Sequence, residues 1–312
     1  KGKRKRLKST VVFIAGATSS GKSAVAAALA EKLNGEVISC DSMQVYREMD
    51  VMTRPPFSDI TRGVIHHLVG EIPPEEEFNA ARYAEEAARI VDSVISGGGL
   101  PVVAGGTGLY MKTLVDGIFA SPPKNNALRK RLSDMALEKG REYLHERLRE
   151  IDPEAAAGVH SNDVRRVIRA LEVYELTGRT LSVKKPEAKG ISSKYDCRMF
   201  GLEVPRKELY ARIDSTVDGM FDEGLVTEVE RLRARRLSLT AGKALGFTEV
   251  SAFLDGRISL ERAAEELKKN TRRYAKRQLT WFRAEGRMVW VDADRDVAEI
   301  VEDIVKRIKE KG

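Results

Sequence analysis

The sequence predicts an α/β fold: a doubly wound parallel sheet with an inserted all-helical domain. Three observations predict it. Near the start of the chain an apolar strand runs directly into a glycine-rich loop and then a helix. Short apolar strands and amphipathic helices then alternate over roughly the first hundred residues, the pattern of strands buried on both faces beneath crossover helices. A charged, purely helical stretch follows, after which strand character returns.

Each element follows from local pattern. Thr10-Val11-Val12-Phe13-Ile14-Ala15 reads as a buried strand, and Ala24 to Leu33 as the helix after the loop. Glu36-Val37-Ile38-Ser39-Cys40 is a short second strand ending at Asp41. Phe78 to Ile95 has helical periodicity, stopped by Gly97-Gly98-Gly99. Leu100-Pro101-Val102-Val103-Ala104 is another buried strand, opening into Gly105-Gly106-Thr107-Gly108 and a helix from Leu109. The character changes at Ser121-Pro122-Pro123: from about Asn125 to Thr177 the pattern is helical and highly charged, and a polar link runs from Gly178 to Ser193. Residues 121–196 are therefore expected to form the insert, with 10–120 and 197–312 as the core. Cys197 to Val204 re-enters the sheet. Long amphipathic helices are expected from Pro205 to Arg235 and from Thr248 to Phe282, and Met288-Val289-Trp290-Val291-Asp292 is a last strand before a closing helix. Residues 1–9, rich in lysine and arginine, are expected to be a disordered tail rather than a nucleic-acid-seeking arm.

At 312 residues the chain can bury a substantial core. A formal charge of +7 favours a polyanionic partner, although many enzymes share such a balance. Two cysteines, Cys40 and Cys197, are too few and too far apart for a disulfide framework or a zinc site. There is no secretory segment and no apolar run of membrane-spanning length. A cytoplasmic monomer is expected, with no membrane and no obligate protein partner.

The chemistry begins at Gly16-Ala17-Thr18-Ser19-Ser20-Gly21-Lys22-Ser23, a complete G-x-x-x-x-G-K-[ST] loop in a strand–loop–helix setting. Its glycines let backbone N–H groups turn inward around a polyphosphate, and the helix N-terminus adds partial positive charge. Lys22 would reach the terminal phosphates and Ser23 would help hold Mg²⁺. The sheet is thus P-loop NTPase-like, and a di- or triphosphate ligand is expected. Asp41 falls at the end of the second strand, and ligands in such sheets bind at the carboxyl ends of strands. There it could be a general base, a group near Mg²⁺ or a cap for the following turn. Thr107, at a third strand end, offers a hydroxyl either to a ligand or to a helix N-terminus. The adjacent His66-His67 cannot readily point at one ion, and no cluster at ligand spacing surrounds them, which argues against zinc.

A basic, aromatic helix spans Arg272 to Arg283. Ala275, Leu279 and Phe282 form an apolar stripe, while Arg272/Lys276 and Arg273/Arg277 stack at i,i+4 elsewhere. A solvated cationic face is the plain reading. Against it, like charges on one face repel unless an anion neutralises them. The insert adds Arg165-Arg166-Val167-Ile168-Arg169 and Arg129-Lys130-Arg131. Together these look like contacts to the phosphate backbone of a structured nucleic acid.

These residues resemble the tRNA dimethylallyltransferase family, which prenylates N6 of the adenosine at position 37, beside the anticodon. The matching segments are Gly16–Ser23, Asp41 to Tyr46 with Met49-Asp50-Val51, His66-His67-Leu68, Gly105 to Tyr110, Arg169 to Val173, Gly246-Phe247 and Ala275 to Arg283. They run in family order across nearly the whole chain. The resemblance implies transfer of a dimethylallyl group from dimethylallyl diphosphate, with Mg²⁺, to tRNAs that read codons starting with U. The products are N6-dimethylallyladenosine and diphosphate. By the same resemblance the loop Gly16, Ala17, Thr18, Ser19, Ser20, Gly21, Lys22 and Ser23 holds the diphosphate together with Arg212. Asp41 is the general base, Thr107 and Lys22 complete the catalytic set, and Ser42, Met43 and Gln44 touch the flipped base and its neighbours. The positions Arg129, Arg165, Arg166, Arg169, Lys243, Gly246, Phe247, Thr248, Arg273, Lys276, Arg277, Gln278, Trp281 and Arg283 contact tRNA, and the insert clasps the anticodon stem-loop. The sequence departs from the family at Thr216, where an arginine associated with the diphosphate is common, and at Pro55, where a lysine is. A kinase sharing the loop, or a prenyltransferase acting on free AMP, would leave the cationic helices unexplained. A purely structural RNA-binding protein would not need Asp41 and Thr107 beside a phosphate loop.

Overall fold

The computed structural model describes residues 9–56, 58–118, 122–184 and 189–310. Within them six strands, β1 (Thr10–Gly16), β2 (Gly35–Ser39), β3 (His66–His67), β4 (Leu100–Gly105), β5 (Asp196–Glu203) and β6 (Met288–Asp292), form one parallel sheet in the order β3-β2-β4-β1-β5-β6. The longer helices are α1 (Lys22–Leu33), α2 (Ala80–Ser96), α3 (Gly108–Asp116), α4 (Asn126–Lys139), α5 (Arg141–Ile151), α6 (Val164–Thr177), α7 (Arg206–Asp222), α8 (Leu225–Arg233), α9 (Phe247–Leu254), α10 (Leu260–Arg283) and α11 (Val297–Glu310). Residues 1–8 of the expected tail, Ser121 and residues 185–188 of the expected link lie outside the described residues.

Apart from Thr10, the central strands β1 and β4 carry no polar side chain, because helices cover both of their faces. All of β1 and all of β4 are buried. Side chains alternate between two cores. Val11 and Phe13 join Ile38 and Val103 with Tyr83 of α2 and Met111 of α3, whereas Val12 and Ile14 join Val102 with Leu29 of α1 and Ile304 of α11. Ala15 pairs with Gly105 and Ser39 with Ala104, so β1, β4 and β2 end level with one another. The chain leaving each of them emerges at the same edge. His66 and His67 form the short edge strand, where His66 Nδ1 donates to the Val64 carbonyl at 2.9 Å and His67 Nε2 bonds Glu36 at 2.6 Å.

Two expected long helices are each broken. Pro205 to Arg235 becomes α7 and α8, separated at Gly224, whose φ of 97° favours a residue without a Cβ. Thr248 to Phe282 becomes α9 and α10, with Asp255 and Gly256 between them and the Ser259 hydroxyl capping the Arg262 amide at 3.2 Å. Apolar periodicity runs through both breaks because Val217 and Val229, like Val250 and Leu267, face one core.

The described chain divides into two compact units, with boundaries at Val115/Asp116 and Gly190/Ile191. In the smaller unit α4, α5 and α6 pack around Leu132, Leu144, Leu148, Val167, Ile168 and Leu171. Its interior also holds a fully buried acid, Glu172. That carboxylate accepts from Arg129 Nε at 2.8 Å and Nη2 at 2.7 Å, from Arg169 Nη1 at 2.5 Å and from the Asn125 amide at 2.8 Å. Burial alone pushes the Glu172 carboxyl up; the hydrogen bonds from Arg129, the Asn125 amide and Arg169 outweigh it and hold it at about 2.

A depressed native value means that Glu172 stabilises the unit above its unfolded pKa of about 4.3 and ceases to do so as the pH falls toward its native one. Amide exchange of α4 and α6, followed from about pH 5 to about pH 2, should therefore show this unit opening. Glu172→Gln should flatten that dependence and cost ~2–3 kcal/mol of protection at neutral pH. Unchanged protection in the variant would mean that the Glu172 charge contributes nothing to the stability of this unit.

Candidate functional site

The chain between β1 and α1 turns tightly around its own amides, with Ser19 at φ 60° and Gly21 at φ 85°. Among the described residues the amides of Ser19, Gly21, Lys22 and Ser23 donate to no backbone acceptor. The buried Ser20 hydroxyl likewise finds no partner among them. Together these free donors around one turn leave it open to an oxygen-bearing ligand. Lys22 Nζ donates to the Ala17 carbonyl at 2.6 Å. Burial pushes this ammonium down to about 8, and the neighbouring Asp41 carboxylate opposes the fall. The acid and the loop after β1 leave the sheet at the same edge. Thr216 of α7 reaches the loop as a hydroxyl, 3.3 Å from Ser19 Oγ. Arg212, expected at the diphosphate, directs its guanidinium to Glu208 and Asp294 at 2.9 and 3.0 Å.

The segments after β2 and β4 are laced together. The Cys40 amide donates to Ala104 at 2.7 Å, the Thr107 amide to Cys40 at 3.1 Å, and the Ser42 amide to Thr107 Oγ1 at 3.0 Å. Asp41 Oδ1 accepts from the Met43 amide at 2.9 Å and from the Gln44 amide at 3.4 Å, a side-chain turn that fixes the carboxylate. Its Oδ2 accepts no hydrogen bond from the described residues. One oxygen therefore caps the turn, and the other is left for chemistry. Met43 packs against the core. The Gln44 amide is engaged internally, donating to Thr53 and Arg54 carbonyls at 3.4 and 3.2 Å and accepting from Ser39 Oγ at 3.1 Å. The helical turn Asp50–Thr53 beneath it hangs from Glu228 of α8, whose buried carboxylate accepts the Val51 and Met52 amides at 2.8 Å each.

Helix α10 closes the site. Gln278 stands in its buried stripe with Ala275 and Phe282, not on an outer surface. Its Oε1 accepts the Thr18 amide at 2.9 Å and its Nε2 donates to the Gly106 carbonyl at 3.0 Å. The approach needs glycine: a Cβ on Gly106 would lie 2.0 Å from Gln278 Nε2, and one on Gly108 2.3 Å from ring carbons of Trp281. One turn before Gln278 comes Tyr274, to which sequence reasoning assigned no role. Burial pushes its hydroxyl well up and the Asp41 charge adds to this, against hydrogen bonding with Thr107 and Gln278. The available signal was its place on the helix between the cationic face and the buried stripe.

The remaining predicted residues divide by exposure. Arg273, Lys276 and Arg277 are exposed and make no ion pair with the described residues, and the Arg277 guanidinium lies 5.7 Å from the Tyr274 ring centre. Arg283 pairs with Glu203 at 3.1 Å. Lys243 and Thr248 are exposed on either side of Gly246, and Phe247 is half-buried against the core. In the helical unit Arg165 and Arg166 are exposed, without ion pairs among the described residues, whereas Arg129 and Arg169 are held by Glu172. No cluster of three or more metal-ligating side chains occurs among the described residues.

A family model described as IPP transferase matches residues 44–285. The chain is 43% identical over 302 residues to a tRNA dimethylallyltransferase of Acetivibrio thermocellus, covering 96% of each protein. It is similar to the solved structure of the tRNA isopentenylpyrophosphate transferase of Bacillus halodurans, with a TM-score of 0.71 at 39% identity over 97% of this chain and 98% of that one. A eukaryotic dimethylallyltransferase acting on tRNA matches with a TM-score of 0.76 at 30% identity, over 96% of this chain and 77% of that one.

The packing of Trp281 on Gly108 can be tested directly. Gly108→Ala should cost ~1–3 kcal/mol through overpacking against a rigid indole, read as a lowered thermal midpoint. Combining it with Trp281→Ala should restore part of that loss, a non-additivity expected only of residues in contact.

Proposed function

The chain belongs to the IPP transferase family, and on that premise we propose how its residues carry out the reaction. A dimethylallyl group moves from dimethylallyl diphosphate to N6 of adenosine 37 in tRNA, and diphosphate leaves. The observation that supports this assignment of roles is the level ending of β1, β4 and β2, which brings the loop after Gly16 and the Asp41 carboxylate to one edge of the sheet. Base and leaving-group site would then be adjacent.

An exocyclic adenine amine is a poor nucleophile, because its lone pair is delocalised into the ring. Asp41 Oδ2 accepts its proton as the N–C bond forms, a step for which gains of ~10²–10⁴ are typical. The allylic C–O bond breaks, and negative charge grows on the departing diphosphate. Lys22 and the amides of Ser19, Gly21, Lys22 and Ser23 are preorganised to receive it. The Ser23 hydroxyl and diphosphate oxygens suit Mg²⁺, which when bound supplies further countercharge. The orphan Ser20 hydroxyl supports this fit of an oxygen-rich ligand.

Adenine must leave its stack to enter, at a cost of a few kcal/mol. Phosphate contacts from Arg273, Lys276 and Arg277, and from Arg165 and Arg166 of the helical unit, would offset it. Thr107, by bonding the Ser42 amide, would hold the segment Asp41 to Gln44 against the incoming base. The substrates in this reading are tRNAs for codons starting with U, met by a cytoplasmic monomer through the anticodon stem-loop.

The test is incubation with labelled dimethylallyl diphosphate, Mg²⁺ and either an anticodon stem-loop bearing A36-A37-A38 or free AMP. Label on the stem-loop alone is expected; label on AMP alone would overturn the reading. Asp41→Asn should lower the single-turnover rate ~10²–10⁴-fold and leave stem-loop affinity within several-fold, because an amide oxygen can still accept from Met43. An equal loss of affinity would make Asp41 a recognition group. Arg277→Ala should reduce the salt slope of stem-loop binding by ~0.7–0.9, and an unchanged slope would leave Arg277 as a solvated charge.

A further inference from the structure

We propose that Gln278 is a positioning residue for this transfer, setting the separation between the phosphate loop and the segment that carries Thr107. The inference rests on the reaction proposed above and deepens it. Gln278 is 5 % exposed and stands in a stripe that is otherwise apolar except for Thr271. A buried polar side chain is tolerated there only if its amide is satisfied. Both ends are: Oε1 takes the Thr18 amide at 2.9 Å, and Nε2 gives a hydrogen to the Gly106 carbonyl at 3.0 Å. One planar group therefore spans the gap between the turn after β1 and the turn after β4. The approach is close: a Cβ at Gly106 would meet Nε2 at 2.0 Å, so the amide would have to shift to admit one.

The two turns carry opposite halves of the chemistry. Thr18 belongs to the loop that receives the departing diphosphate. Gly106 precedes Thr107, whose hydroxyl accepts the Ser42 amide and so locates Asp41. The separation between leaving group and proton acceptor thus passes through the Gln278 amide. Near-attack geometry is steep in distance: a displacement of ~1 Å from outside the reacting atoms costs ~10²-fold. Gln278 touches neither substrate in this reading. It also stands on α10 one residue from the exposed Arg277, yet it faces inward, so its role is separable from RNA binding.

Two variants test this. Gln278→Met keeps length and removes both hydrogen bonds. Gln278→Glu keeps the acceptor for Thr18 but can donate to Gly106 only when protonated. Single-turnover transfer at saturating substrates should fall ~10²-fold in Gln278→Met, with stem-loop affinity within threefold of the parent. In Gln278→Glu the rate relative to the parent should recover severalfold as pH falls from about 8 to about 6, whereas the ratio for Gln278→Met stays flat. A rate in Gln278→Met within threefold of the parent, or a loss of stem-loop affinity as large as the loss of rate, would overturn the proposal. So would identical, flat pH ratios in the two variants, the mark of a merely structural side chain. Affinity for inorganic pyrophosphate, read by calorimetry, tests the Thr18 end without any acceptor: Gln278→Met should weaken it about tenfold through lost preorganisation, and equal affinities would count against the proposal. Absence of transfer by the parent chain to the stem-loop would instead remove the proposed reaction and leave the pyrophosphate comparison standing.

Discussion

The site depends on one constraint: β1, β4 and β2 run parallel and end level. Hydrogen bonding between parallel strands fixes where each chain leaves the sheet, to within a residue. The Cys40 amide on the Ala104 carbonyl is the last rung of that ladder. Beyond it, a glycine-rich turn, an acid and a threonine emerge side by side, although they are separated by dozens of residues in sequence. Their proximity is inherited from strand register, not assembled by contacts of their own. Those contacts then remove residual freedom: Thr107 pins the Ser42 amide, and the Asp41 carboxylate caps its own turn.

Much of this was legible in the residues. The strands β1 and β4 are continuous apolar runs, and such runs have few alternatives when a glycine-rich turn follows. The turn after β1 is recognisable from its glycines at fixed spacing, and Asp41 stands just beyond β2, as the pattern of apolar residues there indicates. Other features were hidden for physical reasons. The breaks at Gly224 and near Gly256 leave apolar periodicity intact, since the flanking helices face one core. The two-residue strand at His66 lacks the length to show any period. Charge was the least readable property. Arg129 and Arg165 look alike in sequence, but Glu172 holds only the first.

Gln278 shows the opposite problem. Its neighbours in a cationic, aromatic segment point to an outward role, although its spacing from Ala275 and Phe282 puts it on their buried face. Only the three-dimensional positions of Thr18 and Gly106 explain why an amide belongs there. The same holds for Gly106 and Gly108, whose lack of side chains reads as flexibility in sequence but serves close approach by α10 in the fold.

The Glu172 cluster has a consequence for how this molecule meets polyanions. A guanidinium whose field is cancelled by an interior carboxylate is electrostatically silent to distant phosphates, so the attraction of the helical unit is weaker than a tally of its arginines suggests. Loss of that acid would raise the net charge of the cluster by one and leave both guanidinium groups unpaired by it. Stability and surface charge in this unit are therefore coupled through one interior side chain.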